Sequence, residues 1–321
     1  MNIPELLDLP SLGADLEEVD AALRRSVGSD DPFLGEVASH LIVAGGKRIR
    51  PVLSVAAAAA GGASASPDVV QGAVSVELVH LGSLYHDDVM DNASTRRGVD
   101  SVNARWGNLV AIVAGDFLLA RASEIAASLG TEVAGLLAAT IGRLCEGQVG
   151  EVQSAFSPER TETSYLTAIA GKTASLMASA CRIGALTAGL DRAHVDALTT
   201  FGEAFGMTFQ IRDDVLDIIG TDADLGKPAG HDLMEGVYTL PVIRALGIPE
   251  AGPELRALLG GPLAEPERDK AIEIVRSTGA LESSLALARR YADTAATALA
   301  PMGPNAARLA TFAHALLDEM G

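Results

Sequence analysis

The sequence predicts an all-α fold, and three observations carry that expectation. Long segments rich in Ala, Leu, Glu and Arg repeat their apolar residues at helical spacing. Runs of alternating β-branched residues, the mark of strands, are scarce. Turn-forming residues gather at Gly61–Pro67, Ser157–Thr163, Gly226–Gly236 and Gly247–Pro266, which read as loops between helices. No long polar stretch of low complexity offers a linker, so a single domain over residues 1–321 is expected.

Composition narrows the partners. The chain has 321 residues, enough for a sizeable core, and 48% hydrophobic against 21% charged residues, which is globular rather than disordered. The formal net charge is −18. That argues against nucleic acid as the main partner and against an anionic membrane surface, because both demand a basic face. The N-terminal MNIPELLDLP lacks a basic segment, so no signal peptide is expected. Val52–Ala60 stops at Gly61-Gly62, and Leu109–Ala120 contains Asp116, so no apolar run reaches the roughly 18 residues of a membrane span. Cys145 and Cys181 have no metal-ligand spacing and read as small core residues in a reducing compartment. A cytoplasmic protein is expected.

The best-marked helix begins at Ser66-Pro67-Asp68. Ser66 caps it, Pro67 suits the first helical position, and Asp68 complements the helix dipole. Apolar residues run nearly all round it from Val69 to Leu84, which marks a buried helix. It ends in Tyr85-His86-Asp87-Asp88-Val89-Met90-Asp91. Asp87 and Asp91 are four apart and share one face, where carboxylates repel unless something offsets their charge. His80 lies seven residues earlier on nearly the same stripe, and Arg96-Arg97 follow.

The pattern recurs at Asp213-Asp214-Val215-Leu216-Asp217, with Gln210 one turn back. One such cluster alone reads as a solvated acidic helix end. Two, both in apolar surroundings, read as a hard-cation site. Oxygen ligands without His or Cys suit Mg²⁺, which keeps waters and shares itself with substrate phosphates. The acids then bind metal, and the metal binds phosphate. Gly45-Gly46-Lys47-Arg48-Ile49-Arg50-Pro51 sets three cations beside a Gly pair, where backbone approaches a ligand closely and Arg grips phosphate in bidentate fashion. Lys172-Thr173 and Lys227 add further candidates.

Together these stretches resemble one family. GGKRIRP, LVHLGSLYHDDVMDNASTRRG, GDFLLA, CEGQ, GKTASL, GMTFQIRDDVLDIIGTDADLGKPAGHDL and EGVYTLP run from Gly45 to Pro241 in the order of the trans-isoprenyl diphosphate synthases, or polyprenyl synthetases. The resemblance implies an orthogonal helix bundle around a deep central cavity, and a homodimer. It implies three Mg²⁺ ions ligated by Asp87, Asp91 and Asp213, with Asp88, Asp214 and Asp217 acting through water or as supports. Arg96, Lys172 and Lys227 would hold an allylic diphosphate, with Thr173 and Gln210 nearby. Lys47, Arg50, His80 and Arg97 would hold the diphosphate of isopentenyl diphosphate. One departure stands out: the family usually carries Lys where this chain has Val237.

The implied reaction extends an allylic diphosphate by five-carbon units. Side chains one and two turns before Asp87 would line the cavity wall, and here they are Ser83, Gly82 and Val79. None is bulky, and no insertion interrupts the first DDxxD. A product longer than fifteen carbons is expected, such as a quinone side-chain precursor, with geranylgeranyl diphosphate the second choice. A terpene cyclase would carry a single aspartate motif. A non-catalytic subunit of a heteromeric synthase would lose one or both, and an acidic scaffold would need no cavity. Both motifs are intact.

Overall fold

Capping residues set the helix boundaries. The computed structural model describes Leu7, Leu9, residues 11–220 and residues 229–319. In chain order the helices are α1 (Leu12–Ser26), α2 (Pro32–Val43), α3 (Ile49–Ala60), α4 (Pro67–Met90), α5 (Val102–Trp106), α6 (Asn108–Ser128), α7 (Thr131–Gln153), α8 (Glu162–Ile169), α9 (Ser175–Thr187), α10 (Arg192–Ile219), α11 (His231–Met234), α12 (Leu240–Leu246), α13 (Gly252–Leu258), α14 (Glu265–Arg276), α15 (Ala280–Ala298) and α16 (Ala307–Asp318). A π-helical turn, Ala170–Ala174, joins α8 to α9, and a hairpin of β1 (Thr95–Arg96) and β2 (Val99–Asp100) pairs Thr95 with Asp100 and Arg96 with Val99. The all-α expectation holds.

Ser66 accepts the Val69 N–H at 3.3 Å, and Pro67 opens α4, as its sequence predicts. Asp31 caps α2 and Thr161 caps α8 in the same way. Three expected loops are shorter than their Gly/Pro content suggests. Glu162 and Thr163 already belong to α8, α11 interrupts Gly226–Gly236, and α13 with the start of α14 lies inside Gly247–Pro266. In the last of these, Pro253 and Pro266 sit in first helical turns, where proline starts helices rather than breaking them.

The chain forms two compact units. The first comprises the residues up to Ile141, Leu176–Gly202 and Ala298–Ala310. Its centre is α4, on which Val69, Ala73, Val74, Val76, Leu78, Val79 and Leu81 are all buried. Each buried Val or Leu contributes about 1.5–3 kcal/mol. Tyr85 completes the packing against α2 by donating its hydroxyl to the Val37 carbonyl at 2.7 Å. The second unit comprises Gly142–Ser175, Glu203–Thr297 and the residues from Thr311. Val215 and Ile218 of α10 pack there with Leu233, Tyr238, Val242, Leu255 and Val275. Cys181 is buried, which pushes its thiol pKa up, but Cys145 is exposed on α7 and is not a core residue.

Candidate active site

In the first unit α4 delivers the first aspartate cluster. Asp88 is fully buried, and Arg96 of β1 donates Nε and Nη2 to its Oδ1 at 2.7 and 2.6 Å. Burial pushes the Asp88 carboxyl up and Arg96 draws it back. The turn closes with the Ala93 N–H on the Asp88 carbonyl at 2.9 Å. Asp87 is half-buried and Asp91, the C-cap, is exposed.

A cluster of cations surrounds one buried acid. Glu77 of α4 is 1% exposed and accepts from Arg48 Nη1 at 3.1 Å, with Arg97 Nη2 at 3.9 Å. Arg48 also donates to Asp20 at 2.9 Å and to the Ile42 carbonyl at 3.1 Å. Arg97 donates to the Leu41 carbonyl at 2.9 Å and to the Gly45 carbonyl. Arg50 has its Nε sealed from solvent with no hydrogen-bond partner among the described residues. Its pKa is pushed down to about 10, by burial first and with Arg97 adding to it. His80 is pushed well below its usual range by burial and then by Arg50, Arg97, Arg96 and Arg48, so its imidazole is neutral near pH 7. Lys47 stands exposed at the rim. Net positive charge with neutral and cationic donors suits a diphosphate.

Gly46 also has a part that its sequence does not suggest. Its missing side chain makes room for the Arg97 guanidinium, since a Cβ there would lie 2.8 Å from Arg97 Cζ. Gly46 therefore shapes the placement of an arginine, while nothing lies within 4 Å of the Cβ position of Gly45.

The second cluster, on α10, belongs to the second unit. Asp213 has a side chain 44% exposed, with Arg212 Nη1 at 3.3 Å. Asp214 is 2% exposed and accepts from Gln210 Nε2 at 2.8 Å and from the Tyr165 hydroxyl. Burial, reinforced by Asp232, pushes its carboxyl up to about 8. Asp217 is also buried, and its Oδ2 accepts the Asp232 N–H at 3.2 Å, fixing the turn into α11. Thr173, in the π-helical turn, donates to Gln210 Oε1 at 2.7 Å, and Lys172 pairs with Glu151 at 2.6 Å. Lys227 lies outside the described residues. Val237 is half-buried and its N–H is taken by the Asp232 carbonyl at 2.8 Å.

Burial thus sorts the six aspartates. Asp87, Asp91 and Asp213 keep accessible carboxylates, while Asp88, Asp214 and Asp217 are buried on protein donors. The accessible oxygens fit a hard divalent cation. Among the described residues no group of three such side chains forms a ready-made cage. Mg²⁺ needs none, because it keeps waters and takes ligands from substrate phosphates.

Comparison with known proteins decides the family. A sequence model described as polyprenyl synthetase matches residues 31–275. The chain belongs to the polyprenyl synthetase family. The synthetase is 42% identical over 299 residues to heptaprenyl diphosphate synthase component 2 of Geobacillus stearothermophilus, covering 92% of each chain. It superposes on a decaprenyl diphosphate synthase from Rhodobacter capsulatus with a TM-score of 0.90 at 34% identity, covering 99% of both chains. A polyprenyl synthase from Caulobacter crescentus, complexed with calcium and isoprenyl diphosphate, gives a TM-score of 0.88 at 35% identity over 97% of both chains.

Three positions of the synthetase were expected to line a cavity wall, and they differ in placement. Ser83 is half-buried, its hydroxyl turned back to the His80 carbonyl at 2.8 Å. Gly82 instead meets α6: a Cβ there would lie 3.0 Å from the Gly115 carbonyl and 3.1 Å from Leu119 Cγ. Val79 is fully buried.

Sequence reasoning missed Glu77, Tyr165 and Arg160. Glu77 had a usable signal, being a lone acid in the middle of a helix apolar all round, where a charge must find partners. Arg160 stands in, and Tyr165 just beyond, a stretch that reads only as a loop, and nothing in their spacing sets them apart.

Proposed function

We propose that this chain is a trans-prenyltransferase that condenses isopentenyl diphosphate with an allylic diphosphate, giving an all-trans polyprenyl diphosphate of more than fifteen carbons. The relatives named for heptaprenyl and decaprenyl products support a long product. The observation that carries the reading is the sorting of the aspartates: the three with accessible oxygens are those the family resemblance assigns to metal. The family match crosses both units, which supports one functional domain over the whole chain.

Asp87, Asp91 and Asp213 would hold Mg²⁺, three ions by the family resemblance, and the calcium with isoprenyl diphosphate in a similar enzyme supports the use of a divalent ion. When bound, the metal neutralises charge on the departing pyrophosphate. Lys172, Arg96 and Lys227 grip the allylic diphosphate. Lys47, Arg50, Arg97 and neutral His80 grip that of isopentenyl diphosphate, with His80 donating a hydrogen bond rather than a charge. Apolar helix faces keep water from the allylic cation once the C–O bond breaks. The isopentenyl double bond then forms the new C–C bond, and the proton it releases passes to the held pyrophosphate. The chain's residues supply placement and fixed charge.

Two further readings go with this. Leu109, Ile112 and Val113 of α6 are 76%, 42% and 52% exposed, an apolar face that supports a homodimer. Two free cysteines support a reducing, cytoplasmic setting. Among the described residues no helix is long and apolar enough to cross a membrane. Incubation with Mg²⁺, labelled isopentenyl diphosphate and either farnesyl or geranylgeranyl diphosphate, followed by product sizing, tests the activity. Label in chains of more than fifteen carbons is expected, and no incorporation with either primer would refute it.

A further inference from the structure

We infer that Tyr165, backed by Arg160, is a positioning residue that holds the second aspartate cluster in its working geometry. The inference rests on the reading of Asp213 as a metal ligand. It concerns residues of the second unit alone.

Asp214 cannot itself meet a ligand, being 2% exposed with both oxygens engaged. Gln210 Nε2 donates to Oδ1 at 2.8 Å and the Tyr165 hydroxyl donates to Oδ2. The far end of the Gln210 amide accepts from Thr173 at 2.7 Å. One buried carboxylate therefore ties α8, α10 and the π-helical turn that presents Lys172. Asp213 is its immediate neighbour on α10. Of the two donors to Asp214 among the described residues, Gln210 comes from the same helix, one turn away, so among them only Tyr165 fixes the carboxyl group from outside α10.

Arg160 explains what fixes Tyr165. Its guanidinium lies over the Tyr165 ring, 5.5 Å from the centroid. The side chain is 7% exposed, yet it makes one hydrogen bond, from Nη1 to the Tyr238 carbonyl at 3.1 Å. Nε and Nη2 have no hydrogen-bond partner among the described residues. A residue that merely filled this space would be better apolar, since a buried charge with unsatisfied donors is unfavourable. What the guanidinium gains is the ring face of Tyr165 and the negative charge of Glu151. The Phe156 N–H on the Gly236 carbonyl at 2.8 Å ties the same loop to the segment whose Tyr238 carbonyl accepts from Arg160. The order of support runs from Arg160 to Tyr165, to Asp214, and then to Asp213 and to Gln210 with Thr173.

The test is calorimetric titration of the full chain with Mg²⁺ in the presence of inorganic pyrophosphate. Partners that orient a metal ligand are worth about tenfold to a hundredfold in affinity. Tyr165→Phe keeps the ring under Arg160 and removes only the hydroxyl. It should weaken binding by at least about tenfold and raise the half-saturating Mg²⁺ in turnover by the same factor. Turnover at saturating Mg²⁺ should change far less. Arg160→Met should move affinity in the same direction by a smaller factor. A lower melting temperature with unchanged affinity and unchanged Mg²⁺ dependence in Tyr165→Phe would mean a purely structural tyrosine and overturn the inference. Should that variant not fold, unchanged affinity in Arg160→Met overturns it equally. Asp213→Ala separates the two levels: wild-type affinity there sinks the metal assignment itself, whereas loss there with no loss in Tyr165→Phe sinks only the positioning role.

Discussion

Arg97 holds its guanidinium in the space that a side chain on Gly46 would occupy, with a Cβ at Gly46 coming within 2.8 Å of Arg97 Cζ. Gly46 also sits at φ +141°, which side chains rarely adopt. The carbonyls of Leu41 and Gly45 fix the same guanidinium, so it cannot retreat without losing hydrogen bonds. Gly46→Ala should therefore displace Arg97 and destabilise the fold by about 1–3 kcal/mol. Steady-state kinetics should show KM for isopentenyl diphosphate rising about tenfold, with the allylic KM nearly unchanged; equal rises in both would contradict the assignment of Arg97.

Asp87 and Asp88 are adjacent but separable. Asp88 is sealed on Arg96, while Asp87 is half-buried. Asp88→Asn should lower stability by about 1–3 kcal/mol, because Arg96 loses its charge partner, and should raise the allylic KM. Asp87→Asn should lower stability by less than Asp88→Asn and abolish turnover. Thermal melts and assays of the pair check this. The reverse pattern, a stable inactive Asp88 variant and an active Asp87 one, would exchange their roles.

His80 gives the chain a pH signature. Its folded pKa lies well below 6.5, while the unfolded chain takes up the proton near that value. Between those pKa values the unfolded state binds the extra proton, so stability falls as pH falls through 6.5 and is fully present above it. The steepest contribution of one such group is about 1.4 kcal/mol per pH unit. Melting temperature should drop between pH 7.5 and 5.5 by more in the wild type than in His80→Asn. Parallel curves for the two proteins would mean that His80 is not held neutral.

How much of this was legible beforehand follows from periodicity and distance. The cap, span and burial of α4 could be read because Ser66-Pro67 and an all-round apolar pattern are local signals. The aspartate clusters could be read because i,i+4 spacing puts carboxylates on one face. Which aspartates are sealed could not, because Asp88 depends on Arg96 across a hairpin and Asp214 on Tyr165, 49 residues away. Cys145 was misjudged for the same reason. Its Ala/Gly-rich neighbourhood suits a core, but that face of α7 is exposed. The Gly/Pro cluster at Gly247–Pro266 suggests a loop, whereas two of its prolines open helices.

Product length offers a sharper test, because Ser83 and Gly82 are neighbours with opposite surroundings. A Phe at Ser83 enters from a half-buried position, and only the hydroxyl contact to the His80 carbonyl is lost. A Phe at Gly82 must displace Leu119 and collides with the Gly115 backbone, where a single Cβ already lies at 3.0 Å. Backbone cannot rotate away as a side chain can. Ser83→Phe should therefore fold with a stability change under about 1.5 kcal/mol and give shorter polyprenyl diphosphates. Gly82→Phe should lose about 3 kcal/mol or more by separating α4 from α6, with little soluble enzyme to assay. Melting curves read beside product sizing distinguish the two. An unchanged product from a folded Ser83→Phe variant would remove Ser83 from the wall that limits growth, and a stable Gly82→Phe variant making short products would move that wall to the α4–α6 contact.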